Sequence, residues 1–148
     1  IAEKIISKME ILISQNANTL DGVCETLNFL KQQKLKIGLA TSSSSRLIDI
    51  VLRELKIQHY FHVACSAETE NYGKPHPAVY LKVAEELKVS PTKCLVIEDS
   101  YNGVIAGLAA QMKVVCIPEK THIINSKLKL ADFSFDSMSD FYLEIKNN

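Results

Sequence analysis

Four short apolar runs alternate with segments whose apolar residues recur at helical spacing, and this alternation most constrains the fold. The runs cover residues 36–40, 61–65, 94–97 and 113–117. Strands that alternate with helices favour right-handed crossovers and a mainly parallel sheet with helices on both faces. We therefore predict an α/β fold, a Rossmann-like three-layer sandwich, with its functional site at the carboxyl ends of the strands.

Weaker patterns flank this alternation at both ends of the chain. Residues 1–16 and 22–33 each carry an apolar stripe typical of an amphipathic helix, and the first of these helices needs a partner surface. Residues 131–135 fit a short edge strand, and residues 140–146 fit a closing helix. We find no internal repeat, low-complexity tract or linker, so one layered domain accounts for the chain.

The charges of the chain balance, because its 148 residues include 17 Lys and Arg residues and 17 Asp and Glu residues. No overall field would draw such a chain to nucleic acid or to an anionic membrane, so neither is expected as a partner. No apolar run approaches the roughly 18–20 residues of a membrane span. Residues 1–14 lack the apolar core of a signal peptide, so the expected location is the cytoplasm.

Cysteine and histidine usage argues against a transition-metal site. Cys24, Cys65, Cys94 and Cys116 lie far apart and form no Cys-x-x-Cys pair. None of the four histidines stands at a metal-ligand spacing from a cysteine or from another histidine. We therefore expect buried, reduced thiols.

Three polar clusters follow or lie between the apolar runs, and the first is Thr41-Ser-Ser-Ser-Ser45. Hydroxyls and backbone amides at the start of a helix hold phosphate by hydrogen bonds and through the positive end of the helix dipole. Thr41, Ser42 and Ser43 are thus candidate phosphate-binding residues. The alternative is a serine-rich turn whose hydroxyls only cap the helix that follows.

The second cluster is Gly73-Lys74-Pro75, in the polar loop of residues 66–77. A lysine held by Pro75 and Pro77, which follow it, is placed to neutralise a phosphoryl group or the carboxylate of a nucleophile. The alternative is a solvated loop lysine. His76 is expected to be a turn residue rather than a base.

The third cluster is the pair Glu98-Asp99, directly after an apolar run. Hard oxygen ligands suit Mg2+, which keeps several waters and takes one or two carboxylates together with substrate phosphate. Asp99 and Glu98 are therefore candidate metal ligands. The alternative is that Asp99 or Ser100 only caps the following helix, although capping and metal binding can coexist.

Several common catalytic motifs do not occur in the sequence. The five glycines form neither a Gly-x-Gly-x-x-Gly fingerprint nor a Walker-type loop, which argues against dehydrogenases and P-loop kinases. A Gly-x-Ser-x-Gly elbow is also missing, so the serines after the first strand are poor serine-hydrolase nucleophiles.

The order of the three clusters resembles the haloacid dehalogenase-like phosphatase superfamily. The stretches Lys74-Pro-His-Pro-Ala-Val-Tyr-Leu81 and Glu98-Asp-Ser-Tyr-Asn-Gly103 look most like phosphatases of 2-deoxyglucose 6-phosphate and hexitol phosphates. The β-phosphoglucomutases are close relatives of that group. The resemblance implies a small phosphorylated sugar or polyol as partner and Mg2+ as cofactor.

The resemblance also implies roles at the phosphate site. Thr41 would hold a phosphoryl oxygen, with the backbone amide of Ser42 beside it and Ser43 completing the loop. Lys74 would bridge the phosphoryl group and the carboxylate of the nucleophile. Thr41, Lys74 and Asp99 are therefore the expected catalytic residues.

At the metal site, the resemblance makes Asp99 the direct Mg2+ ligand. Glu98 would lie beside it, in the outer shell or through water. Ser100 and Asn102 are expected to shape the loop.

One part of the family pattern has no counterpart in the sequence. The family motif Asp-x-Asp-Gly-Thr supplies the nucleophile and the general acid/base on a first, central strand, ahead of a helical cap, and it does not occur here. The resemblance then makes residues 1–16 a remnant of the cap or a hinge, and residues 17–148 an incomplete core without the first strand and most of the cap. Unpaired sheet edges would favour self-association.

Two hypotheses from different classes follow. The first is a Mg2+-dependent sugar-phosphate phosphatase that works through an aspartyl-phosphate intermediate, of which this chain is a C-terminal fragment without the nucleophile. A mutase reaction like that of the β-phosphoglucomutases is a variant of it. The second is a short, non-catalytic form that binds phosphate or a protein partner.

Overall fold

The computed structural model describes residues 2–119 and 129–147, which form a mixed α/β fold. The described strands are β1 (Gly38–Thr41), β2 (Val63–Ser66), β3 (Leu95–Glu98), β4 (Lys113–Cys116) and β5 (Phe133–Ser134). The described helices are α1 (Ala2–Asn16), α2 (Val23–Gln32), α3 (Ser45–Glu54), α4 (Ala78–Leu87), α5 (Tyr101–Ala109) and α6 (Met138–Asn147). The predicted α/β class is confirmed, and the flanking helices and the edge strand form within a few residues of their predicted bounds.

All described strand pairs are parallel, as the alternation of strands and helices predicts. They form two separate ladders. In the first ladder β1 pairs with β2, and Thr41 lies opposite Ser66. In the second ladder β4 lies between β3 and β5, and Glu98 of β3 lies opposite Cys116.

The two ladders border a shared cavity of about 630 Å³, which we call the inter-ladder cavity. It is lined on its sides by Leu39 and Ala40 of β1 and by residues of β3. Helices α2, α4 and α6 contribute the remaining walls. Two apolar side chains of β3 stay strongly exposed, since Leu95 is 49% and Ile97 37% accessible. Among the described residues, β1 pairs only with β2 and β3 only with β4, so each of the two strands that line this cavity has one edge without a strand partner there.

A hydrophobic core lies between the strands and the helices. Its fully buried side chains include Val79 of α4, Val104 of α5 and Val114 of β4. Complete burial of a valine or leucine side chain stabilises a fold by about 1.5–3 kcal/mol. Helix α5 lies directly on β4, since a Cβ at Gly107 would stand 2.8 Å from Cγ2 of Val114. This close contact explains why α5 is rich in small residues.

Helix α1 packs on α3, and this contact supplies part of the partner surface that its apolar stripe requires. The Arg46 guanidinium on α3 pairs with the Glu10 carboxylate on α1. Much of the stripe remains accessible, because Ile5 and Leu12 are more than half exposed and Met9 is 42% exposed.

The four cysteines are free thiols, and Cys65 and Cys116 are buried as expected, whereas Cys24 and Cys94 are only partly buried, which differs from the expectation. Within residues 2–119 and 129–147, no helix has the length and apolar character that crossing a membrane requires.

Candidate functional site

The carboxyl ends of β1 and β3 approach each other at the ammonium group of Lys74. This lysine lies in the loop before α4, and its Nζ donates to the backbone carbonyl of Ala40 at 3.4 Å. The same Nζ forms a close ion pair with the Glu98 carboxylate at the end of β3. The pair is largely buried, with 12% of the Lys74 side chain and 8% of the Glu98 side chain accessible. Lys74 is therefore not the solvated loop lysine of the alternative interpretation.

The Glu98 carboxylate is held at both of its oxygens. Oε1 accepts hydrogen bonds from Lys74 Nζ and from the Tyr80 hydroxyl. Oε2 accepts from the hydroxyl of Ser100 at 3.0 Å and from its backbone N–H at 3.4 Å. We call Lys74, Tyr80 and Glu98 the Lys74 cluster.

These contacts set the protonation state of the cluster. Burial raises the pKa of Glu98, but hydrogen bonds from Lys74 and Tyr80 and the positive charge of Lys74 outweigh it, so this pKa lies below its ordinary value. Burial and the Glu98 charge raise the pKa of the Tyr80 hydroxyl. Glu98 is thus an anion and Tyr80 a neutral donor near pH 7.

Asp99 contrasts with its neighbour Glu98. Its side chain is exposed, and within the described part of the chain no hydrogen bond or ion pair engages its carboxylate. Ser100 caps α5, because its hydroxyl accepts from the Gly103 N–H at 3.1 Å. Asp99 therefore does not act as the helix cap, and its oxygens remain available to a ligand. The capping alternative holds for Ser100 alone.

The donor chemistry at this point fits Mg2+ in part. Asp99 offers one free hard-oxygen ligand, and Mg2+ typically takes one or two carboxylates together with waters and substrate phosphate. Glu98 has both oxygens engaged by donors of the protein, which agrees with an outer-shell place. Among residues 2–119 and 129–147, no group of three or more His, Cys, Asp or Glu side chains is arranged to hold a metal alone.

The serine-rich loop after β1 does not cap α3 as predicted. Ser44 occupies the N-cap position, yet its side chain makes no capping hydrogen bond, and its Oγ is buried without a partner in the described structure. The backbone N–H of Ser45 instead donates to Oε2 of Glu68 at 3.2 Å. A carboxylate from the end of β2 takes the place of the hydroxyl, because it satisfies a free N–H at the positive end of the helix dipole.

Strand β2 also shapes this loop from its own end. The buried Ser66 hydroxyl donates to the backbone carbonyl of Ser43 at 2.7 Å, and it accepts from the Glu68 N–H at 3.0 Å. Within the loop, Ser43 N–H donates to Oγ1 of Thr41 at 3.1 Å. The loop is therefore tied to the core in a defined shape, and the side chains of Ser42 and Ser43 stay exposed.

The structure brings most of the predicted site residues to one edge of the sheet. Thr41 ends β1, directly after the carbonyl that Lys74 contacts, and Asp99 follows β3. His76 is a turn residue as expected, because its Nδ1 accepts from the Ala78 N–H at 3.2 Å. Asn102 is exposed in the first turn of α5, and its loop-shaping role stays a prediction.

Sequence reasoning missed three residues that hold the site together, namely Tyr80, Ser66 and Glu68. Tyr80 lies within the family-like stretch 74–81, but the sequence does not reveal where the hydroxyl of a tyrosine points. Ser66 and Glu68 lie in a polar loop, where only the pairing of β1 with β2 brings them to the serine-rich segment.

With this geometry established, comparison with known proteins identifies the family. A family model described as haloacid dehalogenase-like hydrolase matches residues 1–117. The chain belongs to the haloacid dehalogenase-like hydrolases. This match confirms the resemblance to the haloacid dehalogenase-like superfamily.

Relatives of this haloacid dehalogenase-like hydrolase include sugar-phosphate enzymes. Hexitol phosphatase B of Escherichia coli strain K12 is 34% identical over 140 residues, which cover 95% of this chain and 63% of that protein. The β-phosphoglucomutase of Bacillus subtilis strain 168 is 36% identical over 126 residues, which cover 85% of this chain and 53% of that protein.

A solved structure supports the same assignment. The crystal structure of β-phosphoglucomutase from Clostridium difficile superposes with a TM-score of 0.81 at 30% identity, covering 99% of this chain and 67% of that one. The hydrolase chain described here thus spans about 63% of the length of the hexitol phosphatase that it matches.

Proposed function

We propose that the protein carrying these 148 residues is a Mg2+-dependent phosphatase of a small sugar phosphate or polyol phosphate. The observation that carries the proposal is the buried Lys74–Glu98 pair at the meeting point of β1 and β3. A buried cation that faces the open end of a parallel sheet is placed to neutralise a phosphoryl group. The hexitol phosphatase relative supports the choice of substrate class.

In this proposal, the loop after β1 binds the phosphoryl oxygens. The hydroxyls of Thr41 and Ser43 and the backbone N–H of Ser42 supply hydrogen bonds, while the Ser43 N–H is engaged by Oγ1 of Thr41. Ser66 and Glu68 keep the loop in shape before substrate arrives. Donors fixed in advance stabilise transition-state charge without reorganisation, which is the main source of catalysis in phosphoryl transfer.

The metal would be held by Asp99, with Glu98 in the outer shell and with water and substrate phosphate as further ligands. When bound, Mg2+ supplies positive charge that offsets the charge on the phosphoryl oxygens. The role of Glu98 is to keep the Lys74 ammonium beside Ala40. The negative charge of Glu98 is itself compensated by the Lys74 ammonium. Ser100 holds the second Glu98 oxygen and so fixes the position of the neighbouring Asp99 backbone.

The nucleophile in this proposal is an aspartate on a strand that occupies the inter-ladder cavity. The cavity is lined by β1 and β3 and by Ala40, Tyr80 and Glu98, three residues that contact Lys74, which supports this placement. The aspartate oxygen would bond to phosphorus as the bond from phosphorus to the ester oxygen breaks, and the second aspartic acid of the family motif would give that oxygen a proton. The same second aspartate would then take a proton from the water that hydrolyses the acyl phosphate to inorganic phosphate and free aspartate. The sequence described here has no Asp-x-Asp-Gly-Thr motif, so the strand would come from a segment outside these residues.

Residues 1–16 are proposed to form the hinge towards a cap, and residues 17–148 the core. The Arg46–Glu10 pair supports this division, because it joins α1 to the helix that follows the phosphate-binding loop. The accessible apolar stripe of α1 would then contact the cap.

A mutase reaction is the second candidate, favoured by the similarity to β-phosphoglucomutases. The two reactions differ in their products. With β-glucose 1-phosphate as substrate, a phosphatase releases inorganic phosphate, whereas a mutase forms glucose 6-phosphate. Measuring both products in one incubation separates the two candidates.

The proposal is tested on the intact protein as the cell makes it. A measurement of its intact mass first establishes the length of that protein. The protein is incubated with a panel of hexose phosphates, hexitol phosphates and phosphoglycolate, each with Mg2+ and with a chelator. We expect Mg2+-dependent phosphate release from at least one sugar or polyol phosphate. Binding of phosphate without turnover of any substrate would instead support the non-catalytic alternative.

A further inference from the structure

Tyr80 is a buried residue of the Lys74 cluster to which the proposed function assigns no role. It lies on α4, and only 6% of the residue is accessible. Its hydroxyl donates to Oε1 of Glu98, and the Lys74 Nζ stands 4.8 Å from the centroid of its ring. One side chain therefore contacts both members of the buried ion pair.

The ring of Tyr80 supports the ammonium group of Lys74. An ammonium over an aromatic face is attracted by the ring quadrupole, and the attraction strengthens when the cation is shielded from water. Lys74 is shielded in this way, with 12% of its side chain accessible. The contact from Nζ to the Ala40 carbonyl is long at 3.4 Å, so the Glu98 carboxylate is the closer polar partner of the ammonium, and the ring lies against it from another side.

The hydroxyl of Tyr80 fixes the carboxylate that Lys74 pairs with. Oε1 of Glu98 accepts from both Tyr80 and Lys74, while Ser100 engages Oε2. A lysine has a flexible four-carbon stem and sets no fixed direction. A phenol in the packed core donates from a fixed point, so Tyr80 sets the orientation of Oε1.

Packing alone does not explain a tyrosine at this position. The adjacent Val79 is 1% accessible, and the surrounding cluster of α4, α5 and β3 is apolar. A phenylalanine would fill the same space, and a buried hydroxyl is costly unless it is hydrogen-bonded. The hydroxyl finds its partner in Glu98 alone among the described hydrogen bonds of Tyr80.

We propose that Tyr80 is a positioning residue, which holds the Lys74 ammonium by its ring and orients the Glu98 carboxylate by its hydroxyl. The catalytic consequence of this inference rests on the proposed function. The positioning itself is a property of the chain and is tested without turnover.

The first experiment measures how readily Lys74 is acetylated. The protein is treated with a trace of acetic anhydride at fixed pH, and mass spectrometry compares Lys74 with the exposed Lys56 of the same chain. Tyr80→Met removes both ring and hydroxyl, and we expect the relative reactivity of Lys74 to rise by about fivefold. Tyr80→Phe keeps the ring, and the reactivity should stay close to that of the unaltered protein.

Tyr60→Phe is the matched control, because Tyr60 is another buried tyrosine. Its hydroxyl donates to Oδ1 of Asn28 at 2.8 Å, and Lys31 Nζ lies 5.5 Å from its ring centroid. This variant loses a comparable hydrogen bond away from the site, and Lys74 should keep its low reactivity. If Tyr80→Met does not fold, Tyr80→Leu takes its place, and circular dichroism verifies the fold of each variant.

The second experiment measures kcat and KM for the intact protein. We expect Tyr80→Phe to lower kcat by about tenfold with KM nearly unchanged, because Oε1 of Glu98 loses the donor that fixes its orientation beside Lys74. Tyr60→Phe should leave both constants unaltered.

The two experiments separate the inference from the proposed function. Low Lys74 reactivity in folded Tyr80→Met or Tyr80→Leu protein would overturn the positioning role. Unaltered kcat in Tyr80→Phe would overturn the part assigned to the hydroxyl. If the unaltered intact protein hydrolyses no sugar phosphate, the proposed function fails, and the acetylation result still decides the positioning role.

Discussion

The Ser66 hydroxyl donates to the backbone carbonyl of Ser43 at 2.7 Å, and this bond ties the second strand to the loop after the first. Ser66 is 5% accessible and also accepts from the Glu68 N–H. The shape of the candidate phosphate-binding loop thus depends on a residue 23 positions further along the chain.

Ser66→Ala should therefore weaken both the fold and phosphate binding. Leaving buried polar groups without partners costs about 1–3 kcal/mol, and we expect a loss of unfolding free energy in this range. Inorganic phosphate should bind the intact protein less tightly, as measured by calorimetric titration. Ser90→Ala is the control, since its hydroxyl lies at the surface, 3.0 Å from that of Thr92. Unaltered phosphate affinity in Ser66→Ala would contradict the role given to β2.

Asp99→Asn should abolish Mg2+-dependent phosphate release and leave stability nearly unchanged. The Asp99 side chain is exposed and unengaged within the described structure, so its change should alter the unfolding free energy by less than about 0.5 kcal/mol. Removing an anionic oxygen ligand should weaken Mg2+ binding. Asp49→Asn makes the same charge change on the exposed face of α3 and should keep full activity. Undiminished turnover of Asp99→Asn would contradict the assignment of Asp99 as the Mg2+ ligand.

Gly103→Ala should destabilise the protein, although alanine is the better helix former by about 1 kcal/mol. A Cβ at position 103 would collide with the carboxylate of Glu98, which is already fixed by Lys74, Tyr80 and Ser100. Overpacking of this kind costs about 1–3 kcal/mol, so it outweighs the gain in helix propensity. Thermal unfolding measures the difference. Gly73→Ala is the control, because no atom stands within 4 Å of a Cβ there and its effect should be small.

Acid should weaken the attachment of the second ladder to the segment before β5. Asp132 accepts from Lys113 Nζ at 2.6 Å and from the Val114 N–H at 2.9 Å, and these hydrogen bonds lower its pKa. The ordinary pKa of Asp is about 3.9. The contribution of Asp132 is therefore complete above that pH, and it is lost as the pH falls towards the lower pKa of the folded state.

Urea unfolding of the unaltered protein and of Asp132→Asn at a series of pH values measures this contribution. The stability difference between the two proteins should be constant near pH 7 and should shrink below about pH 4. A constant difference across this range would show that Asp132 contributes nothing through its charge.

The fold could be predicted from the sequence because apolar runs and helical spacing are local signals. The parallel pairing of the strands follows from the alternation of strands and helices along the chain. The observed strand register changes little in this prediction. The predicted bounds differ from the observed ones mainly at helix ends, for example at α6, which is predicted over residues 140–146 and begins at Met138, after Ser137, whose hydroxyl accepts from the Asp140 N–H. The residues at which a helix begins and ends depend on single hydrogen bonds, and the spacing of apolar residues does not encode these bonds.

The site could be predicted only as far as each residue type carries its own chemistry. Lys74, Glu98 and Asp99 are ionisable residues that follow predicted strands, so their place at one edge was foreseeable. The different roles of Glu98 and Asp99 were not, because they depend on which donors surround each carboxylate. The contact of Glu68 with the start of α3 was not foreseeable for the same reason, because this carboxylate comes from the segment after β2.

The inter-ladder cavity has a thermodynamic consequence for the whole fold. The two ladders lie on opposite sides of it, so any segment that fills it and pairs with both edges would be linked to folding by mass action. Its occupancy would raise the melting temperature in a concentration-dependent way. A segment tethered to the same polypeptide acts at an effective concentration of about millimolar, so even weak strand pairing would keep the cavity filled. Stability in this protein would then be a measure of whether the site is assembled.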